Sequence, residues 1–179
     1  MVDFALTRIW LFRLLFAAIC GTIIFFQLLP LKTAPGGWPA PDLLQAFTCA
    51  WVLRRPDYVP IVLIAAIMLL ADMLFLRPPG LQAALMVAAA EFLRQRIHMT
   101  RDLPFGVEWA LVATVLTGVA LGQRLILLLL LVERPPLSLF LMQLLATILA
   151  YPLVVFVSRH IFGIRPAARG KVDTLGHRP

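Results

Sequence analysis

The chain has 179 residues, of which 61% are hydrophobic and only 14% are charged. Soluble globular domains contain about 45–50% apolar residues, so too little polar surface remains to cover a globule of this size, and a single soluble domain is excluded. Because the apolar residues assign the chain to a bilayer, its net charge of +7 fits basic loops facing an anionic leaflet better than a nucleic-acid partner.

Six apolar stretches, separated by proline-rich or basic segments, predict six helices. A helix needs about 20 apolar residues to cross a hydrocarbon core about 30 Å thick, and the second and fourth stretches are shorter than this. The predicted spans comprise residues 9–29, 42–54, 58–76, 81–96, 105–132 and 137–158. We expect an all-α membrane protein in which residues 1–163 form a compact bundle of six transmembrane helices, two of them short. Residues 164–179 are predicted to be a basic, disordered cytoplasmic tail.

The first apolar stretch follows Arg8 and Arg13, and this order is typical of a signal peptide. Lipoprotein processing before Cys20 would favour a small preceding residue, whereas Ile19 is bulky, so we expect a retained span. Cys20 and Cys49 both lie in apolar stretches. The sequence therefore predicts small buried packing residues rather than a disulfide framework or a zinc site.

With six spans, both termini lie on one side of the membrane, and most arginines and lysines fall on that side. Basic residues are enriched in cytoplasmic loops, so we expect both termini to be cytoplasmic. The loops on this side form a predicted basic face with anionic lipid as its partner. Its members are Arg54, Arg55, Arg94, Arg96 and Arg101.

A four-span alternative keeps the second and fourth helices as re-entrant or surface helices and changes the charge balance only slightly. It moves Arg54 and Arg55 to the outer side and Arg77 to the inner side. Six spans are favoured because a non-spanning segment at membrane depth must be enclosed by protein, and four helices enclose little.

Two ionisable residues lie deep in predicted spans, where an isolated charge is costly. Asp72 in the third span and Arg124 in the fifth both fall in the outer half of the membrane, because both helices run outward. We expect an intramembrane ion pair between them. For each residue alone, the alternative is a side chain that reaches the outer headgroups. Glu108, at the start of the fifth span, suits a helix N-terminus and is expected to have no special role.

The fifth span carries a strip of small residues at four-residue spacing. Such a strip lets two helix backbones approach closely in lipid, where van der Waals contact drives association. The partner helix could belong to this bundle or to another protein. The strip consists of Ala110, Thr114, Gly118 and Gly122.

No constellation for catalysis, metal binding or cofactor binding appears in the sequence. The histidines His98, His160 and His177 fall in predicted loops or in the tail, so we expect none of them to point into the bundle as a metal ligand. Phosphate-binding, serine-hydrolase and zinc-protease motifs are missing. We therefore expect a protein that is not an enzyme and has no cofactor.

The middle of the chain combines several features of one membrane-protein family. A proline and a polar residue open a short helix, which ends in an aromatic residue followed by a basic and proline turn. The next span carries an aspartate, with a glycine turn a few residues later. These positions are Pro41, Asp42, Trp51, Pro56, Asp72 and Gly80. In this arrangement the chain resembles the bacterial rod-shape-determining MreD family, and Asp72 and Gly80 are the positions whose identity the resemblance carries over.

The resemblance implies a non-enzymatic scaffold subunit of the lateral peptidoglycan-synthesis machine in the bacterial inner membrane. MreD-like proteins associate with the bitopic protein MreC and, through it, with MreB, RodA and a penicillin-binding transpeptidase. An alternative from another class is the substrate-binding membrane subunit of a small-molecule, vitamin-type importer. That function needs a pocket with convergent polar groups, for which the candidates are Asp72, Gln82, Arg124 and Gln143.

Overall fold

The computed structural model describes residues 2–29, 39–100, 104–132 and 136–161. Within these ranges the chain forms α-helices joined by short links, and a 3-10 helix, Pro56–Tyr58, connects the second helix to the third. The helices are α1 (Val2–Leu28), α2 (Leu43–Arg54), α3 (Ile61–Leu74), α4 (Leu81–Thr100), α5 (Phe105–Leu129) and α6 (Leu137–Ile161). The prediction of an all-α fold with six helices is confirmed for the described part of the chain. The predicted disordered tail, 164–179, lies outside the described residues.

Several helix boundaries differ from the predicted ones for local reasons. The third helix begins at Ile61 rather than at residue 58, because the 3-10 turn and then Pro60 precede it. It ends at Leu74 rather than at residue 76, because Leu76 has a φ of 54°, which a right-handed helix does not contain. The fifth helix ends at Leu129, shortly before Leu131, which has the same φ.

The short helix α2 forms the centre of the bundle. Its side chains are buried nearly all round, as expected for a helix that is apolar on every face. Phe47 and Trp51 of α2 pack against Phe16 of α1, with ring centroids 5.5 Å and 5.4 Å from that of Phe16. Protein therefore encloses α2 and satisfies the requirement for a short helix at membrane depth.

Helix α2 begins at a side-chain cap that also ties it to α6. Asp42 Oδ1 accepts the backbone N–H of Gln45 at 3.2 Å, and Asp42 Oδ2 accepts the side-chain amide of the same residue at 2.9 Å. The backbone N–H of Asp42 donates to Thr147 Oγ1 at 2.9 Å. The cap thus satisfies donors that a helix start leaves without intrahelical partners.

Helix α6 contains Pro152, and a tryptophan from α5 supplies the hydrogen bond that this proline cannot donate. Proline has no N–H, so the carbonyl of Ile148 loses its usual helical donor. The indole Nε1 of Trp109 donates to this carbonyl at 3.0 Å. A proline is tolerated inside a spanning helix when a neighbour satisfies the freed carbonyl in this way.

Three helices are long and apolar enough to cross a membrane, namely Thr7–Leu28, Phe105–Leu129 and Leu137–His160. Fewer than a quarter of the residues in each spanning window are buried, and large leucine and phenylalanine side chains are exposed. Lipid is the surrounding that such helices fit, so the protein is a membrane protein. Helices α2 and α3 are apolar but shorter.

Candidate functional site

The polar side chains of this apolar bundle gather at two places. One group lies where α1 and α3 end and α4 begins, and we call it the Arg77 end; it contains the side chains of Asp42, Asp72 and Arg77 and the backbone amide of Gly80. The other lies where α2 ends and α5 begins, and we call it the Arg54 end; it contains Arg54, Glu108 and Tyr151. In a membrane protein such groups are the candidates for function, because each polar side chain must find a partner.

At the Arg77 end, the carboxylate of Asp72 caps the next helix. Asp72 is only 1% exposed. Its Oδ2 accepts the backbone N–H groups of Gly80 at 3.1 Å and of Gln82 and Ala83 at 3.2 Å each. These amides lie at the start of α4, where a negative charge also interacts favourably with the helix dipole. One buried carboxylate therefore joins α3, the turn and α4.

The predicted ion pair between Asp72 and Arg124 is corrected by this geometry. The ion pairs among the described residues join Arg54 to Glu108 and Arg77 to Asp42, and neither involves Asp72. The guanidinium of Arg124 lies over the ring of Phe140, 4.9 Å from its centroid. The expectation failed because it considered only side chains as partners, whereas the backbone amides of a helix start bind a carboxylate equally well.

Next to this cap, Arg77 and Asp42 face each other loosely. Arg77 Nη1 lies 3.8 Å from Asp42 Oδ2, beyond hydrogen-bonding distance. Two adjoining cavities open on this pair, with volumes of about 520 Å³ and about 330 Å³. Of the pocket residues expected from the sequence, Gln143 lines both cavities, whereas Asp72 and Gln82 line neither.

At the Arg54 end, a buried ion pair is extended by a tyrosine. Arg54 Nη1 lies 2.9 Å from Glu108 Oε1, and Arg54 Nη2 donates to Glu108 Oε2 at 3.2 Å. The hydroxyl of Tyr151 donates to Glu108 Oε1 at 2.6 Å. The side chains of Arg54 and Glu108 are 7% and 16% exposed, and Tyr151 is fully buried. This cluster connects α2, α5 and α6.

This cluster differs from the sequence prediction, in which Arg54 belongs to the cytoplasmic basic face and Glu108 has no role beyond the helix N-terminus. The structure corrects both assignments, because the two charges neutralise each other inside the bundle. The available signal was that both charges fall on the same predicted side of the membrane, but sequence alone does not reveal that α2 and α5 are neighbours.

The rest of the predicted basic face divides into buried and exposed parts. Arg94 is half-buried, and its Nη2 donates to the carbonyl of Val59. Arg55 is half-buried beside Tyr58. Arg96 is exposed, whereas Arg101 lies outside the described residues.

Most of the small-residue strip of α5 faces away from the bundle. Ala110, Thr114 and Gly118 are exposed, and a Cβ added to Gly118 would meet nothing within 4 Å. At Gly122, by contrast, an added Cβ would lie 3.3 Å from Leu85 Cδ2. Within the described part of the chain, the strip therefore contacts α4 only near its end. The alternative of a partner helix stays open for the first three positions.

The positions that carry the family resemblance occupy structural junctions. Pro41 and Asp42 precede α2 and Asp42 caps it, while Trp51 is fully buried in α2. Pro56 begins the 3-10 turn between α2 and α3. Gly80 has a φ of +86°, a left-handed conformation that suits glycine.

Among the described residues, no group of three or more histidine, cysteine, aspartate or glutamate side chains that could hold a metal ion occurs. Cys20 and Cys49 are free and buried, as predicted. His160, expected in a loop, is instead an exposed residue in the last turn of α6.

Comparisons of the chain with protein-family models, with curated proteins and with solved structures found no match.

Proposed function

We propose that this protein is a non-enzymatic scaffold subunit of the bacterial cell-elongation machine, similar to MreD. The observation that carries the proposal is the hydrogen bond between Asp72 and Gly80, 3.1 Å from amide nitrogen to Oδ2. These are the two positions whose identity the resemblance carries over, and the fold gives them one shared role. The cap at Asp42 supports the proposal further, because the resemblance implies that a proline and a polar residue open α2.

The proposal includes a place in the bacterial inner membrane with six spans and cytoplasmic termini. Contacts at the Arg54 end support six crossings over four. The four-span alternative puts Arg54 outside and Glu108 inside, yet their side chains lie 2.9 Å apart. Likewise, Arg13, near the start of the first predicted span, donates to the carbonyl of Asp57 at 3.3 Å, so the α2–α3 link lies beside the start of that span.

Cysteine labelling in intact cells tests this topology. Asp57 and Leu76 are both exposed, and they lie in the links on either side of α3. Six crossings with cytoplasmic termini predict that a membrane-impermeant maleimide labels Leu76→Cys from outside and Asp57→Cys only after permeabilisation. The four-span alternative predicts the reverse. The buried Cys20 and Cys49 give little background.

A scaffold needs a surface for its partner, and the exposed part of the α5 strip is the one we expect MreC to use with its single span. No helix of the described bundle packs against Ala110, Thr114 and Gly118, so this surface can accept a partner helix. Backbones can approach closely along such small residues. The exposed arginine Arg96, whose guanidinium lies over the ring of Phe92, is expected to meet anionic lipid.

The decisive experiment is depletion of the protein from its rod-shaped host, with microscopy and a pull-down of MreC. We expect rounded cells, recovery of MreC with the wild-type protein and reduced recovery with Gly118→Leu. Gly21→Leu is the matched control, because Gly21 is an exposed helical glycine on α1 whose added Cβ also meets nothing within 4 Å. Depleted cells of normal shape, together with no recovery of MreC, would reject the scaffold function.

The cavities at the Arg77 end favour one second candidate, the substrate-binding subunit of a small-molecule importer. Polar groups from Asp42, Arg77, Gln123 and Gln143 converge there, as a substrate pocket requires. Co-purification of an ATPase, and loss of uptake on depletion without a change of cell shape, would favour this candidate over the scaffold.

A further inference from the structure

The two cavities at the Arg77 end adjoin and share five lining residues, and together we call them the recess. The larger lies between the ends of α1 and α3 and the start of α6, and the smaller extends between α2, α5 and α6. The residues that line both are Asp42, Leu76, Arg77, Phe140 and Gln143. The charged residues Asp42 and Arg77 thus lie where the two cavities adjoin.

The two charged side chains at this junction do not form a hydrogen bond with each other. Asp42 already accepts two hydrogen bonds from Gln45, whereas Arg77 approaches it only to 3.8 Å. Among the described residues, the guanidinium of Arg77 donates no hydrogen bond, although it carries five N–H donors. The pair has no net charge, so a purely anionic ligand would be attracted by Arg77 and repelled by Asp42.

Neutral hydrogen-bonding groups surround this pair. The half-buried amides of Gln123 and Gln143 line the recess and form no side-chain hydrogen bond within the described part of the chain. Amide groups can donate to phosphate or ester oxygens and accept from an ammonium group. The polar lining therefore matches a ligand that carries both charges and several oxygens.

The rim of the recess is apolar and exposed. Leu76 is 93% exposed, and Leu28, Leu74 and Leu139 beside it are also exposed. A ligand with acyl chains could lay them along these leucines while its headgroup enters the recess.

We infer that the recess binds a zwitterionic group, an ammonium joined to a phosphate, with the phosphate on Arg77 and the ammonium beside Asp42. The apolar rim favours a phospholipid of the ethanolamine type as its source over a soluble zwitterion. This inference does not rest on the proposed scaffold function.

The test is lipid titration of the delipidated, full-length protein in detergent micelles, followed by native mass spectrometry and thermal shift. The probes are dioleoyl phosphatidylethanolamine, phosphatidylglycerol, which lacks an ammonium, phosphatidylcholine, whose quaternary ammonium has no N–H donor, and water-soluble glycerophosphoethanolamine. We expect the ethanolamine lipid to bind at least about tenfold more tightly than either other lipid. Equal binding of glycerophosphoethanolamine would assign the same site to a soluble ligand.

Three variants distinguish binding in the recess from general adhesion of lipid to the protein. Arg77→Gln is expected to weaken binding of the ethanolamine lipid about tenfold or more. Asp42→Asn keeps a good helix cap but removes the negative charge, so it should weaken the ethanolamine lipid and strengthen phosphatidylglycerol. Gln143→Met leaves both charges in place and should weaken binding even if Arg77→Gln does not fold. Arg159→Gln, an exposed arginine in the last turn of α6, is the control that should bind as the wild type does.

Equal affinity for the ethanolamine lipid and phosphatidylglycerol would overturn the inference, because it would indicate general attraction of anionic groups to a basic protein. Unchanged binding in both Asp42→Asn and Gln143→Met would overturn it as well, and so would no binding of any probe.

Discussion

The backbone amide of Gly80 donates to the carboxylate of Asp72, eight positions earlier in the chain. A second bond crosses the same turn, from the amide of Arg77 to the carbonyl of Asp72 at 3.0 Å. Asp72 therefore uses both its side chain and its backbone to fix the reversal between α3 and α4. This reversal also places Arg77 at the junction of the two cavities.

Removal of the Asp72 carboxylate should destabilise the protein, because the amides of Gly80, Gln82 and Ala83 lose their shared acceptor. A hydrogen bond to a charged group contributes about 1.5–3 kcal/mol, so Asp72→Ala should lower the free energy of unfolding by at least about that amount. Asp72→Asn keeps one acceptor oxygen and should cost less. Thermal unfolding in detergent micelles measures the difference. Asp57→Asn is the control, because Asp57 is exposed and its side chain forms no hydrogen bond or ion pair with another described residue.

A double-mutant cycle distinguishes this cap from the ion pair expected from the sequence. If Asp72 binds amides rather than Arg124, the effects of Asp72→Asn and Arg124→Gln should add within about 0.5 kcal/mol. A coupling well above about 1 kcal/mol would restore the ion pair and contradict the cap as the main role of Asp72.

Gly80 should not tolerate a side chain, although there is space for one. Its φ of +86° lies in the left-handed region, and a Cβ there would meet nothing within 4 Å. Gly80→Ala should therefore cost about 1–2 kcal/mol through backbone strain alone. The matched control is Gly118→Ala, which also meets nothing within 4 Å but lies in a helix, where alanine is better than glycine by about 0.5–1 kcal/mol. Equal changes in melting temperature for the two variants would argue against strain at Gly80.

The sequence predicted local structure well, because the signals are local. Pro41 and Asp42 marked the start of α2, and the prolines after Arg77 marked the end of α3. The left-handed turn at Gly80 follows from the same kind of signal. The position of a residue along its helix was also predictable. Asp72 and Arg124 lie near the same end of the bundle, because their chain neighbours Arg77 and Gln123 line one cavity.

Long-range partners could not be predicted in this way. The Arg54–Glu108 pair joins residues 54 positions apart, and nothing in the sequence says that α2 and α5 touch. In lipid, apolar side chains do not distinguish a helix neighbour from the membrane, so hydropathy gives spans but not their arrangement. The orientation of the α5 strip away from the bundle was undetermined for the same reason.

The cluster at the Arg54 end should be sensitive to loss of one charge and tolerant of losing both. Glu108→Gln leaves Arg54 buried without its counter-ion, which typically costs about 3–5 kcal/mol. Replacement of the whole cluster, Arg54→Met with Glu108→Leu and Tyr151→Phe, should be nearly neutral, because the hydroxyl of Tyr151 would otherwise lose its acceptor. Glu91→Gln is the control, because Glu91 is half-buried and forms no ion pair with another described residue. Unfolding midpoints would reject a buried pair if Glu108→Gln behaved like this control.

The contact between Trp109 and Ile148 should depend on Pro152. Because Pro152 cannot donate to the carbonyl of Ile148, Trp109→Phe leaves that carbonyl without a donor and should cost about 1–3 kcal/mol. In a Pro152→Ala background the new backbone N–H can donate to the same carbonyl, so Trp109→Phe should then cost clearly less. Unfolding of the wild type, both single variants and the double variant gives the coupling energy. Trp10→Phe, at an exposed tryptophan on α1, should have little effect, and an equal cost of Trp109→Phe in both backgrounds would show that the indole stabilises α6 by packing and not by replacing the missing proline donor.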